Sequence, residues 1–343
     1  MKSGKKEQVT IHDIAKQLEV TASTVSRALN DHPRISKATK QLVKETARKL
    51  NYQHNHLAAA LRSGKSSVIG VMVPTADRYF FSSIVRGIED VASQRGYSVM
   101  ICQNYDTEEK EKKNLEVLLR SQVDGIMASI GKTTADFSHF KQVLEKSIPL
   151  VLFDRTTPKL DVHTVTINDY QGAYSATEHL IQQGCRKIVH FAGPQNLNIY
   201  QERKRGYIQA LQDAGIPVKE SLIIYNLLQF EDGVRDAKYM LQLPEKIDGL
   251  FSASDYAAMG AMQVLKYEGV RIPTDIAVVG FMNEPYTSFV TPSLSTVDQR
   301  TQEMGKRTAE IFFTQVEKDS GNQDLSNVVL EPTLIIRESS RRA

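Results

Sequence analysis

At 343 residues, with 41% hydrophobic and 24% charged side chains and a formal net charge of +3, the chain has the composition of a globular protein too long for a single core. No apolar run approaches the roughly 18–20 residues of a membrane span, and the opening MKSGKKEQ lacks the apolar segment of a signal peptide, so no membrane role and a cytoplasmic location are expected. Cys102 and Cys185, far apart and each inside an apolar run, give neither a disulfide framework nor a zinc site.

The first stretch, Val9 to Leu61, reads as three short amphipathic helices followed by an alanine-rich segment. Ile11, Ile14, Ala15 and Leu18 fall at helical spacing, Val20 and Thr21 open a tight turn, and Val25, Leu29 and Ile35 continue the apolar stripe. So brief a turn makes the first two helices cross steeply, as in a helix-turn-helix. The second helix leaves Ala22, Ser23, Thr24, Ser26, Arg27 and Asn30 off the apolar face. Short polar side chains let a helix approach base edges, and Arg27 can donate two parallel bonds to a guanine. An ordinary three-helix bundle with a solvated face would share this pattern, but the charge argues against it. Residues 1–65 carry 13 Lys and Arg against 5 Asp and Glu, a net of +8, which leaves −5 for the rest of a chain totalling +3. A basic head on an acidic body suits a polyanion binder whose body does something else.

From Asn55 to Arg62, Leu57 and Leu61 stand one helical turn apart around Ala58, Ala59 and Ala60, and Ser63-Gly64 with Ser66 and Ser67 marks a linker. A helix of about eight residues is marginal in water and should form only when something packs on it.

These residues, with Val20 to Asn30 and Leu50-Asn51-Tyr52, resemble the lac and galactose repressor family of bacterial transcription regulators, and the resemblance spans essentially the whole chain. It implies a homodimer on a palindromic double-stranded operator. Thr10, Ala22, Ser23, Thr24, Ser26, Arg27, Asn30, Arg34, Asn55, Leu61 and Arg62 would contact DNA, with Leu61 wedged into the minor groove and Leu57 packed on its counterpart. The family usually has proline where this chain has His54, so the hinge begins less rigidly.

From Ser67, continuous apolar runs of strand length alternate with amphipathic helices, the pattern of buried parallel strands covered on both faces. The runs are Val68–Val73, Ser98–Cys102, Gly125–Ala128 and Pro149–Phe153, then Val165–Ile167, Lys187–Ala192, Leu222–Tyr225, Gly249–Ser252 and Ile276–Gly280. The expected fold is a small all-α head at 1–54, a hinge and linker at 55–66, and an α/β body of two doubly wound parallel-sheet lobes. The resemblance makes this body periplasmic-binding-protein-like and adds three crossings, near Val162–Thr164, Ser293–Val297 and Gly321–Ser326. The lobes are then 67–163 with about 297–325, and 164–296 with about 326–343; the helix Thr301–Glu317 returns to the first lobe and the strand Thr333–Arg337 to the second.

Ligands of such sheets lie beyond the carboxyl ends of the strands. Tyr79, Phe80 and Phe81 follow the first strand, either as a plug or as a stacking surface for a ring. Asp154 and Asp255 end strands, where a carboxylate either caps the next helix or binds ligand. The resemblance favours a small-molecule effector, a carbohydrate or its derivative, at Phe80, Phe81, Asp154, Arg203, Phe230, Ser254, Asp255 and Asn283. Met282 stands where the family commonly has an acid that grips hydroxyls, which points to an acidic or modified sugar, with Asn283 or Glu284 as substitutes. No cofactor, metal or catalytic set is expected. Gly131-Lys132-Thr133-Thr134 resembles the end of a phosphate loop, but the required glycine position is Ile126, and the eight histidines show no metal-ligand spacing. A transport receptor without a DNA role, or a sugar-modifying enzyme, is the competing reading.

Overall fold

The computed structural model describes residues 9–52, 65–317 and 325–342. The expectations for His54, Asn55, Leu57, Leu61 and Arg62 lie outside them. Contacts divide the chain into two units, residues 1–66 and 67–343.

In the first unit α1 (Ile11–Gln17), α2 (Ala22–Leu29) and α3 (Lys37–Lys49) enclose a small core of Ile14, Ala15, Val25, Ala28, Val43 and Ala47. Side chains cap each start. The Thr10 amide and hydroxyl both donate to Asp13 at 2.8 Å, Thr21 Oγ1 accepts from Thr24 N at 3.2 Å, and Ser36 Oγ accepts from Thr39 N at 3.1 Å. Glu19, at φ 53°, turns the chain between α1 and α2. Ala28 is fully buried in this core, whereas Leu29 of the anticipated stripe is only half-buried.

The body runs β1 (Val68–Val73), α4 (Tyr79–Gln94), β2 (Ser98–Gln103), α5 (Glu108–Arg120), β3 (Gly125–Ala128), α6 (Ser138–Glu145), β4 (Leu150–Phe153), β5 (His163–Ile167), α7 (Asp169–Gln182), β6 (Ile188–Ala192), α8 (Asn198–Asp213), β7 (Ile223–Tyr225), α9 (Phe230–Met240), β8 (Gly249–Ser252), α10 (Asp255–Tyr267), β9 (Ala277–Val279), β10 (Thr296–Asp298), α11 (Thr301–Glu317), β11 (Asn327–Leu330) and β12 (Thr333–Ile335). The first sheet has the order β11-β5-β4-β3-β1-β2 and the second β7-β6-β8-β9; every pairing within them is parallel. β10 and β12 form a short antiparallel pair. All residues of β3, β4, β6, β8 and β9 are buried, as unbroken apolar runs covered by helices on both faces require. At Gly125 a Cβ would lie 2.1 Å from the Phe312 ring, so α11 can pack on the first sheet only over a bare backbone.

Three boundaries depart from the sequence reading. β5, assigned above to the second lobe, pairs with β4 and β11 in the first sheet, so the first crossing follows Ile167 instead of falling at 162–164. β11 was not anticipated as a strand; it too joins the first sheet, through Val328 opposite Val165, and moves the last crossing from 321–326 to the short link before Thr333. The middle crossing likewise follows Asp298 instead of ending at Val297. α11 packs on the first lobe as expected. Among the described residues no helix is long and apolar enough to cross a membrane.

Candidate functional site

On the head, the face of α2 away from the core presents Ser23, Arg27 and Asn30 as exposed side chains, with Ala22, Thr24 and Ser26 half-buried. Local bonds already occupy some of this set. The Thr21 hydroxyl shares hydrogen bonds with the Ser23 and Thr24 hydroxyls at 2.8 and 2.9 Å, and the Asn30 amide donates to Ser26 O at 2.9 Å, closing the helix end. Thr10 is committed to its cap on Asp13. Arg27 and Arg34 are exposed and have no ion-pair partner among the described residues, whereas Lys44 is held by Asp31 at 2.9 Å. The helix therefore carries one forked donor without an ion-pair partner, Arg27, in its last turn.

In the body, Arg203 of α8 is 2% exposed. Its Nε donates to Asp169 at 2.8 Å, Nη1 to Ala253 O at 2.9 Å and Nη2 to Gln299 Oε1 at 3.5 Å. Its carbon sits 3.8 Å from the Phe281 ring centre. Asp169 opens α7 directly after β5, Ala253 follows β8, Phe281 follows β9 and Gln299 follows β10, so strand ends converge on one guanidinium. Burial pushes the Asp169 carboxyl up to about 6, against the pull of Arg203.

The first lobe contributes Asp154 and Arg155 at the end of β4. Asp154, at φ 59° and 6% exposed, accepts from Ser129 Oγ at 3.2 Å. Burial raises its pKa, while Arg155 and Arg203 both oppose that rise. Arg155 bonds through Nη1 to Asp106, and its guanidinium lies 5.7 Å from the Phe81 ring centre. Lys132, on the loop dismissed above as a phosphate cradle, reaches from the first lobe to Leu227 O at 3.3 Å, and Asn196 Nδ2 returns to Lys132 O at 2.7 Å. Arg78 Nη2 bonds Gln229 Oε1 at 2.7 Å, and Phe80 N meets Glu284 Oε1 at 3.4 Å. Hydrogen bonds thus join the lobes around the cleft.

Of the sequence candidates, Asp154 lies within the electrostatic reach of Arg203, and Phe80 and Phe81 pack on each other with Phe81 facing Arg155. Phe80 is 2% exposed, edge-on to Phe81 at 4.9 Å, while Tyr79 is open to solvent. Ser254 caps α10 by accepting from Tyr256 N at 3.2 Å, and its hydroxyl stands 3.8 Å from Met282 Sδ. Asp255 spends both oxygens on the fold, accepting from Thr296 Oγ1 at 2.7 Å and Glu284 N at 2.9 Å; burial pushes it up to about 7. Asn283 binds Asp298 at 2.6 Å and Arg337 at 2.9 Å, and lines a cavity of about 520 Å³ beside the crossings with Tyr79 and Arg300. Phe230 lines a separate groove with Met259, Met262 and Val290. Sequence reading missed Arg155, Asp169 and Gln299: each follows a short strand, a signal that could have found them. Among the described residues no group of three or more His, Cys, Asp or Glu could hold a metal ion.

The profile described as "Periplasmic binding proteins and sugar binding domain of LacI family" matches residues 66–335, and "Bacterial regulatory proteins, lacI family" matches residues 10–55. The chain is 32% identical to the ribose operon repressor of Halalkalibacterium halodurans, over 97% of each chain. It is also 32% identical to the HTH-type transcriptional repressor CytR of Escherichia coli K12, over 99% of each. A transcriptional regulator CelR–cellobiose complex has a TM-score of 0.74 at 27% identity, covering 97% of this chain and 100% of that one. The lac repressor dimer bound to operator and the anti-inducer ONPF shares the fold, with a TM-score of 0.85 at 24% identity, covering 97% and 99%. With a head built to meet a groove and a body whose strand ends close on a buried arginine, the chain belongs to the LacI family of bacterial regulatory proteins: it is a DNA-binding transcription regulator under small-molecule control, and not an enzyme.

Proposed function

We propose that the protein is a cytoplasmic repressor that works as a homodimer on a palindromic operator, and that its effector is a sugar or sugar derivative held around Arg203. The convergence of Asp169, Ala253, Phe281 and Gln299 on that one guanidinium supports the reading: a ligand there meets strand ends of both lobes at once. The relatives named for ribose and cellobiose favour a carbohydrate. Ligand changes DNA affinity by the difference in its affinity for two arrangements of the lobes.

On the head, Ser23 and Arg27 read base edges, while Thr10, Ala22, Thr24, Ser26, Asn30 and Arg34 fit the helix against the groove. Leu61 is the minor-groove wedge, flanked by Asn55 and Arg62, and Leu57 meets its counterpart in the dimer. Leu61→Ala tests this: operator binding measured by fluorescence anisotropy should weaken strongly with calorimetric effector affinity unchanged, and equal operator affinity would remove the wedge.

A further inference from the structure

Two buried hydrogen-bond donors, one on Gln299 beside Arg203 and one on Arg155 beside Asp154, have no acceptor among the described residues. Arg155 is 4% exposed and among the described residues bonds through Nη1, to Asp106 and to Ile130 O at 3.4 Å. Its Nε has no hydrogen-bond partner among the described residues, and Asp154 Oδ2, 3.8 Å away, is beyond hydrogen-bond distance. Gln299 is 1% exposed; its carbonyl faces Arg203 Nη2 and its Nε2 has no partner among the described residues. Turning the amide over would set its N–H groups against the arginine's, so the neighbouring charge fixes the orientation. A buried donor without an acceptor is destabilising, because it has lost its water and gained no bond in return. Arg203 links the two sites, since its Nη2 meets Gln299 and its charge acts with that of Arg155 on Asp154.

The acceptors nearby are few and partly engaged. Asp169 holds Arg203 through Oδ1, Asp154 takes the Ser129 hydroxyl through Oδ2, and Met282 offers only a thioether, to which Ser254 donates at 3.8 Å. A neutral hydroxyl both donates and accepts, so a polyol needs protein acceptors in proportion to donors. Spare donors with few free acceptors suit a group that only accepts, and a charged acceptor roughly doubles the strength of each bond.

We propose that the effector carries an anionic oxygen group, a carboxylate or a phosphate, held between Arg155 Nε of the first lobe and Gln299 Nε2 of the segment that crosses between lobes. This rests on the cleft being the effector site. Because Arg155 belongs to one lobe and Gln299 to a crossing, the anion ties the lobes together where the chain passes between them.

The full-length protein is titrated by calorimetry, with thermal unfolding in parallel, against matched sets: glucose, glucuronate and glucose 6-phosphate; galactose, galacturonate and galactose 6-phosphate. An acid should bind at least about tenfold tighter than its neutral parent, and the uronate and phosphate arms tell carboxylate from phosphate. Gln299→Glu keeps the shape and the acceptor toward Arg203 but replaces the free donor with an anion. It should weaken the acid by about tenfold or more relative to its effect on the neutral parent. A neutral sugar that binds as tightly as its acid, no binding by any acid of the panel, or an unchanged acid affinity in Gln299→Glu would overturn the proposal. The wild-type panel decides even if the variant unfolds. A neutral sugar that alters operator affinity would overturn the anionic effector yet leave the regulator reading standing.

Discussion

The guanidinium carbon of Arg203 stands over Phe281, 3.8 Å from the ring centre, while Nε donates to Asp169 at 2.8 Å. The stack removes water from one face of the cation and the carboxylate neutralises it, so a side chain with five donors stays buried in one orientation. Its position follows from folding of the second lobe and does not wait for ligand.

Removing that arginine strands a charge. Arg203→Ala should lower the unfolding free energy in urea by about 3–5 kcal/mol, because Asp169 is then buried alone. Asp169→Asn in the same background should recover part of the loss. Equal stability of both single and double variants would show that the pair contributes nothing.

His190 gives a pH dependence with a definite sign. It is fully buried between Tyr207 and Phe251, donates from Nδ1 to Phe251 O at 3.1 Å, and burial lowers its pKa to about 3. The unfolded chain binds this proton near its ordinary value, so the stabilising contribution is present above that value and is lost as pH falls toward 3. Relative to His190→Gln, wild type should lose about 2 kcal/mol of stability between pH 8 and pH 5. A constant difference across that range contradicts the assignment.

At the seam of α4 and α11, Gly87 has no space for a methyl group: a Cβ would stand 2.2 Å from Gln302 O and 3.0 Å from Lys306 N. Both are backbone atoms, so the helices must separate. Gly87→Ala should lower stability by about 1–3 kcal/mol in denaturant unfolding.

Arg27 should read a base. Arg27→Ala is expected to reduce discrimination between the preferred duplex and single-base variants by about 1–3 kcal/mol at one position. A uniform loss on all duplexes, with a smaller salt slope, would make it a phosphate contact.

The apolar runs made most strands legible, because a strand covered on both faces cannot hide its composition: Val68–Val73 and Gly125–Ala128 stand where the runs placed them. Which sheet takes a strand is a different matter. β5 and β11 pair over a separation of 163 residues, from Thr164 to Asn327, and nothing within either segment names its neighbour. Leu330 alone of β11 is buried, so it carried no run to notice. In the cleft, Arg203 and Asp154 were legible from position. Gln299 was not: its significance is an amide without an acceptor, which arises from burial by distant segments. Asp255 shows the converse, a carboxylate at a strand end whose two oxygens are consumed by Thr296 and Glu284.

The central claim is that cleft occupancy sets the affinity of the head for DNA. The most direct measurement is to select a preferred duplex from a random pool with the purified protein and then titrate that complex, by anisotropy, with whichever ligand binds the wild-type cleft but not Arg203→Ala. The account predicts a preferred duplex with two-fold symmetry and a change of about tenfold or more in its affinity on saturation with ligand. A ligand that binds through Arg203 and leaves the affinity for the selected duplex unchanged would contradict it.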